Sequence, residues 1–326
     1  MNYEIIATLG PASTRPEIWS GMLAAGATAF RLNTSHLSLP ALLDWIEQLS
    51  RFNQLQPRKL PVVLDLQGSK WRLGSLTPFQ LEPGETVRLV LAEESQQLGT
   101  LPVPHPDFFH AAGLCDGEIQ INDAKTRLFI DEVRPDEIRA RVITGGVISS
   151  NKGITLPSSP YRMESMGDKD RAILQETGEI PFIRYALSFI KDAAELGFFR
   201  RELGSHAYLV AKIERVDAVR DLRAIADASN EVWLCRGDLG AEAGLVAMAQ
   251  LVSEVTAQVK ELSVPVMMAG QVLEHMTAQP APTRSEVCYL YDSLQSGYSG
   301  FVLSDETAIG QYPVESCREA AAWTLK

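Results

Sequence analysis

The chain has 326 residues, 45 % of them hydrophobic and 22 % charged, an ordinary balance for a globular protein with a substantial core. Its formal net charge of −11 argues against a general nucleic-acid binder. No apolar run is long enough for a membrane-spanning helix. Met1-Asn2-Tyr3-Glu4-Ile5 lacks the basic flank and apolar core of a secretory signal, so a cytoplasmic location is expected. Cys115, Cys235, Cys288 and Cys317 form no C-x-x-C pair and read as reduced thiols, several of them buried.

In chain order, the first apolar run covers residues 5–10. Thr14-Arg15-Pro16-Glu17 then reads as a capping box with proline in the first turn. Ile18, Trp19, Met22 and Leu23 form the apolar stripe of the helix it would start, and Gly26 would close that helix. Further apolar runs follow at 28–33, 61–67, 182–188, 207–214, 231–238, 264–270 and 300–306. Stretches 244–262, 284–296 and 313–326 read as helices. The apolar runs are continuous rather than alternating, which suits strands buried on both faces of a parallel sheet. Eight such β/α units predict an α/β fold, a (β/α)8 TIM barrel.

The third unit breaks this rhythm. Runs 86–91, 118–121, 127–130 and 138–144 are short, β-like and separated by Pro-Gly, Asp-Gly and Gly-Gly turns. The reading is a small all-β lid domain over residues 75–155, inserted after strand 3 into a barrel built from 1–74 and 156–326. The insert holds about 80 residues and leaves about 245, close to the size of a complete barrel.

Catalytic groups of such barrels sit at the C-terminal ends of the strands. Asn33, Asp65, Lys212, Glu214, Asp238 and Ser304 occupy those positions. Lys212 and Glu214 share one side of an extended strand, so a cation-binding carboxylate lies beside an ammonium. Taken alone, Lys-x-Glu is more often a surface ion pair. Arg236-Gly237-Asp238-Leu239-Gly240 offers a second carboxylate and glycines that let amides approach an anion; taken alone it is a turn. Arg31 of Arg31-Leu32-Asn33-Thr34-Ser35-His36 suits phosphate through its planar fork. Asp65-Leu66-Gln67-Gly68-Ser69-Lys70-Trp71-Arg72 adds an acid and two cations at the start of the insert. Together these residues suggest a metal-assisted barrel enzyme acting on an anionic, phosphorylated substrate.

The same residues, in this order, resemble the pyruvate kinase family. The likeness extends through Ile6-Ala7-Thr8-Leu9-Gly10-Pro11-Ala12-Ser13, Lys152-Gly153-Ile154-Thr155-Leu156-Pro157, Ser188-Phe189-Ile190, Pro282-Thr283-Arg284-Ser285-Glu286 and Leu303-Ser304-Asp305-Glu306-Thr307-Ala308. It implies phosphoryl transfer from phosphoenolpyruvate to ADP, giving pyruvate and ATP. Glu214 and Asp238 would hold Mg2+ or Mn2+. Lys212, Arg31, Arg72 and Ser304 would be catalytic. Gly237, Asp238 and Gly270 would bind substrate, and Pro11, Asn33, His36, Asp123 and Lys152 the nucleotide. Neither nucleic acid nor membrane is an expected partner, and a homodimer through the barrel is compatible with the fold.

Several departures qualify the likeness. Lys70, expected near Asp65, Asn33 and Ser35, stands where many members carry a glutamate and use K+; a tethered ammonium implies that K+ is not required. Gly270 replaces a threonine whose hydroxyl helps protonate the enolate, which predicts impaired turnover. Ala124 and Leu37 replace glycines, and Ile309 replaces a lysine. The length leaves no room for the family's C-terminal α/β domain, so control through that domain is not expected. Two other readings remain open: a lyase or aldolase handling a pyruvate enolate, and a catalytically weak phosphoenolpyruvate-binding regulator.

Overall fold

The computed structural model describes residues 3–68, 70–115, 117–122, 124–157 and 166–323. Two compact units emerge. One comprises 1–68, 166–236 and 249–326; the other comprises 69–165 and 237–248.

The first unit is built on a closed barrel of eight strands. These are Glu4–Leu9, Ala29–Asn33, Val62–Asp65, Ile183–Leu187, Tyr208–Ile213, Glu231–Cys235, Val266–Ala269 and Gly300–Leu303. Each pairs in parallel with its neighbour in this order, and the last returns to the first through Glu4 opposite Gly300. Four of the eight are fully buried along their length, Val62–Asp65, Glu231–Cys235, Val266–Ala269 and Gly300–Leu303, and Glu4–Leu9 and Tyr208–Ile213 are buried in all but their first residues. That burial is why they read as continuous apolar runs. Ile6, Ala29, Val63, Ala186, Val210, Trp233, Met267 and Val302 pack one core cluster from all eight strands.

The first helix begins later than its sequence suggested. Pro11–Ser13 forms a short 3-10 turn with Thr14 closing it, so Thr14 is not the helix cap. The helix runs Pro16–Ala24 with Arg15 at its N-cap and no side-chain capping bond. A capping box does occur later in the chain. Thr283 accepts from the Glu286 amide and Glu286 accepts from the Thr283 amide, starting the helix Arg284–Ser296. The stretch read as 244–262 resolves into a helix Leu245–Gln258 and a 3-10 turn Val259–Glu261. The last helix covers Pro313–Ala321. Arg236–Gly240 is helical rather than a turn, within Arg236–Ala243.

The second unit carries a six-stranded sheet in the order Ile154–Thr155, Glu118–Ile121, Thr126–Val133, Glu137–Thr144, Thr86–Val90, Thr100–Pro102. It is not purely β. A helix, Pro106–Ala112, buries Phe108, Phe109, Ala111 and Ala112 in this unit's own core.

At the N-terminal end of the barrel, the Arg184 guanidinium reaches Glu4 at 3.0 Å and Glu231 at 3.3 Å and lies 4.2 Å from the Tyr208 ring. The Glu231 carboxylate also accepts from the Tyr208 hydroxyl and the Trp233 indole. These charges lie where barrel residues usually serve stability. At the other end, buried Glu306 ties two loops together. It accepts from the Leu273 amide at 3.3 Å, after the seventh strand, and from the Ser304 amide at 3.0 Å, after the eighth.

Two outcomes are expected. Gly300 has φ +149°, and a Cβ there would stand 1.8 Å from the Glu4 carbonyl oxygen, where the first and last strands pair. Gly300→Ala should therefore cost about 3 kcal/mol or more in urea unfolding; a loss below about 1 kcal/mol contradicts this closure. Burial pushes the Glu306 carboxyl from 4.5 up to about 7. Its protonated form is thus favoured by folding, and the associated stability is present below about pH 4.5 and lost as pH rises through about 7. The stability of the native protein relative to Glu306→Gln should fall by on the order of 3 kcal/mol across that window. A difference independent of pH would refute the assignment.

Candidate active site

The C-terminal end of the barrel holds a buried ionic network centred on Lys212. Its ammonium lies 2.9 Å from Asp65 Oδ1, 2.8 Å from Glu214 Oε1 and 2.9 Å from Ser188 Oγ. All three partners are buried, as is the lysine. An ammonium has three N–H donors, so this one is saturated. Burial alone would push its pKa down. The Asp65 and Glu214 carboxylates outweigh burial and hold it above the usual lysine range. For Asp65, burial alone would raise the pKa, but Lys212 and Arg31 together hold the carboxyl below its usual range. Lysine and aspartate are both charged here.

Arg31 is oriented by the same network. Its Nε and Nη2 donate to Asp65 Oδ2 at 2.8 and 2.5 Å, and its Nη1 donates to Thr8 Oγ1 at 2.9 Å. A guanidinium has more N–H donors than these bonds use, so the fork is fixed with donors to spare for an anion. The second oxygen of Glu214 accepts the Phe189 amide at 2.9 Å. Phe189 has φ +62°, costly for a bulky side chain, and the distortion lies where its amide meets Glu214.

Strand register explains the convergence. Asn33 pairs with Asp65, Asp65 with Ala186, and Ala186 with Val210, two residues before Lys212. The ends of strands two and three are thereby level, and Lys212 lies two residues beyond the level of Asp65 on strand five. Asn33 Oδ1 accepts the Ser35 amide at 3.1 Å and caps the turn Thr34–His36. His36 and Pro11 are exposed, and Ser304 and Gly270 are partly exposed.

Lys70, Arg72, Lys152, Gly237 and Asp238 belong to the second unit. Lys70 forms an ion pair with Asp238. The Arg72 amide donates to His105 Nε2 at 3.1 Å, and its Nη1 donates to the Asn151 carbonyl at 3.0 Å. Gly237 and Asp238 occupy the first turn of Arg236–Ala243, where amides lack intrahelical acceptors and suit a carboxylate. Asp123 lies outside the described residues.

Two contributors escaped the sequence reading. Asp170 accepts the amides of Gln67 at 3.0 Å and Gly68 at 2.8 Å, and Lys169 donates to the Thr34 carbonyl at 2.6 Å. Burial raises the Asp170 pKa. The first turn of the helix Asp168–Thr177 thus grips the segments that follow strands two and three. The visible signal was only an acidic helix start, with no indication of what it meets 102 residues away.

Comparison with known proteins agrees with this arrangement. Residues 1–317 match the family model for the pyruvate kinase barrel domain. A pyruvate kinase of Methylorubrum extorquens is 34 % identical over 315 residues, covering 96 % of this chain and 66 % of its own length. One from Agrobacterium vitis is 32 % identical over 316 residues, covering 96 % and 65 %. One from Thermococcus litoralis is 31 % identical over 318 residues, covering 96 % and 67 %. The chain thus spans about two thirds of the length of these curated relatives. With the barrel and the Lys212 network in place, the match settles the family: this chain belongs to the pyruvate kinases, through their barrel domain.

Proposed function

We propose that the protein transfers the phosphoryl group of phosphoenolpyruvate to ADP, giving pyruvate and ATP. The observation that carries this reading is the buried, charged Lys212 held between Asp65 and Glu214. Preorganised positive charge in a water-poor site is what a transferring phosphoryl group and a developing enolate require. Arg31, already fixed by Asp65 and Thr8, supplies a second cation for the phosphate. Gly237 and Asp238 amides suit the substrate carboxylate. Arg72 and Ser304 complete the catalytic set, and Pro11, Asn33, His36, Lys152 and Asp123 are assigned to the nucleotide.

Glu214 and Asp238 are the residues that would hold Mg2+ or Mn2+. Among the described residues, no group of three or more His, Cys, Asp or Glu side chains could hold a metal. Two carboxylates are a usual protein complement for Mg2+, which is completed by substrate oxygens and water. When bound, the cation would supply positive charge to offset that of the phosphate. Lys70 is proposed to stand in for K+, since its ammonium already neutralises Asp238. No helix among the described residues is long and apolar enough to cross a membrane.

Three measurements test this reading. Incubation with phosphoenolpyruvate, ADP and Mg2+ should yield pyruvate and ATP with choline replacing K+; absence of ATP with either cation sinks the assignment. Lys212→Met should lower kcat on the order of 10²–10³-fold, the usual loss when one preorganised charge partner is removed. Lys70→Glu would face Asp238 with a like charge, so activity should fall in choline chloride and recover in KCl. Equal activity in both salts would remove Lys70 from the monovalent-cation role.

A further inference from the structure

The segment that opens the second unit, residues 70–74, is held on two sides within that unit. On one edge it runs antiparallel to residues 151–154. The Leu73 amide donates to the Lys152 carbonyl at 2.9 Å, the Asn151 amide to the Leu73 carbonyl at 3.1 Å and the Ile154 amide to the Trp71 carbonyl at 2.8 Å, with Arg72 opposite Gly153. Amides alternate between the two edges of an extended segment, so the Arg72 N–H faces away from this pairing. It needs an acceptor there, and His105 Nε2 supplies one at 3.1 Å. Beside it, the Trp71 indole donates to Asp107 Oδ2 at 2.9 Å, and its ring meets Phe108 edge-on with centroids 5.3 Å apart. His105 stands in Pro104-His105-Pro106. A proline confines the residue before it to extended backbone, and His105 has φ −132° and ψ 96°. His105 is the N-cap of the helix Pro106–Ala112, yet its side chain makes no capping bond to that helix. A typical N-cap side chain accepts an amide of its own helix; this one accepts the amide of Arg72 instead.

We propose that His105 is a positioning residue for Arg72: its ring, set between two prolines, fixes the backbone from which the Arg72 guanidinium extends. A backbone amide only donates, so Nε2 carries its lone pair and the ring proton sits on Nδ1. The far end of Arg72 is held within the same unit, where Nη1 donates to the Asn151 carbonyl at 3.0 Å. Backbone and guanidinium are therefore fixed separately, one from the start of the helix Pro106–Ala112 and the other from the segment that pairs with residues 71–73. For a group that must meet charge developing on a substrate, a displacement of about 1 Å can cost on the order of 100-fold in rate. The kinetic consequence rests on the proposed role of Arg72 in phosphoryl transfer; the amide bond does not.

Hydrogen exchange at the Arg72 amide reads the bond directly. His105→Leu should speed that exchange about tenfold. His105→Gln, whose Oε1 reaches about as far as Nε2 and also accepts, should keep most of the protection. Equal exchange in the native and leucine proteins would overturn the proposal. Kinetics with phosphoenolpyruvate, ADP and Mg2+ test the consequence. His105→Leu should lower kcat about tenfold while KM for each substrate stays within about twofold, and His105→Gln should recover most of the loss. In an Arg72→Met background the same leucine substitution should change kcat by less than about twofold, because the group it positions is gone. Equal fold losses in the two backgrounds, or an unchanged kcat in His105→Leu, would also overturn it. His105→Asn, whose oxygen stops short of the Arg72 amide, makes the same comparisons should the leucine protein not fold. An inactive native protein would defeat the proposed function alone, and exchange at Arg72 would still decide whether His105 holds it.

Discussion

A buried ammonium is costly unless every one of its protons is taken. Removing such a charge from water costs several kcal/mol, and only complete hydrogen bonding with opposite charge returns it. Lys212 meets that condition through Asp65 of strand three, Ser188 just after strand four, and Glu214 just after its own strand. Those acceptors converge only if strands three, four and five hold their observed register. Barrel closure and the charged site therefore depend on one another. A slip of one residue would turn Lys212 to the other face of its strand, where no such set of acceptors awaits it.

The two ends of the barrel use charge differently. At the N-terminal end, Arg184 is enclosed by Glu4, Glu231 and the Tyr208 ring, and the carboxylate of Glu231 is further occupied by a phenol and an indole. Such a cluster is satisfied by the protein itself. At the C-terminal end, Asp65 aligns two cations at once, and Arg31 keeps donors that its protein partners do not use. Self-sufficient charge serves packing; charge aligned but incompletely spent suits a ligand.

The barrel was legible because a parallel sheet covered on both faces writes an apolar run for each strand. The chemistry at its mouth was legible only as residue types at strand ends. What those residues do to one another was not, since Arg31 and Asp65 are 34 residues apart and Ser188 and Asp65 are 123 apart. The role of Asp170 was hidden for the same reason. Local errors have local causes. The 3-10 turn at Pro11–Ser13 consumed Thr14 before it could cap a helix. The seven-residue helix Pro106–Ala112 lay among turn signals and carried too few turns to show a period. Arg236–Gly240 has two glycines in five positions, yet it is the opening of a helix.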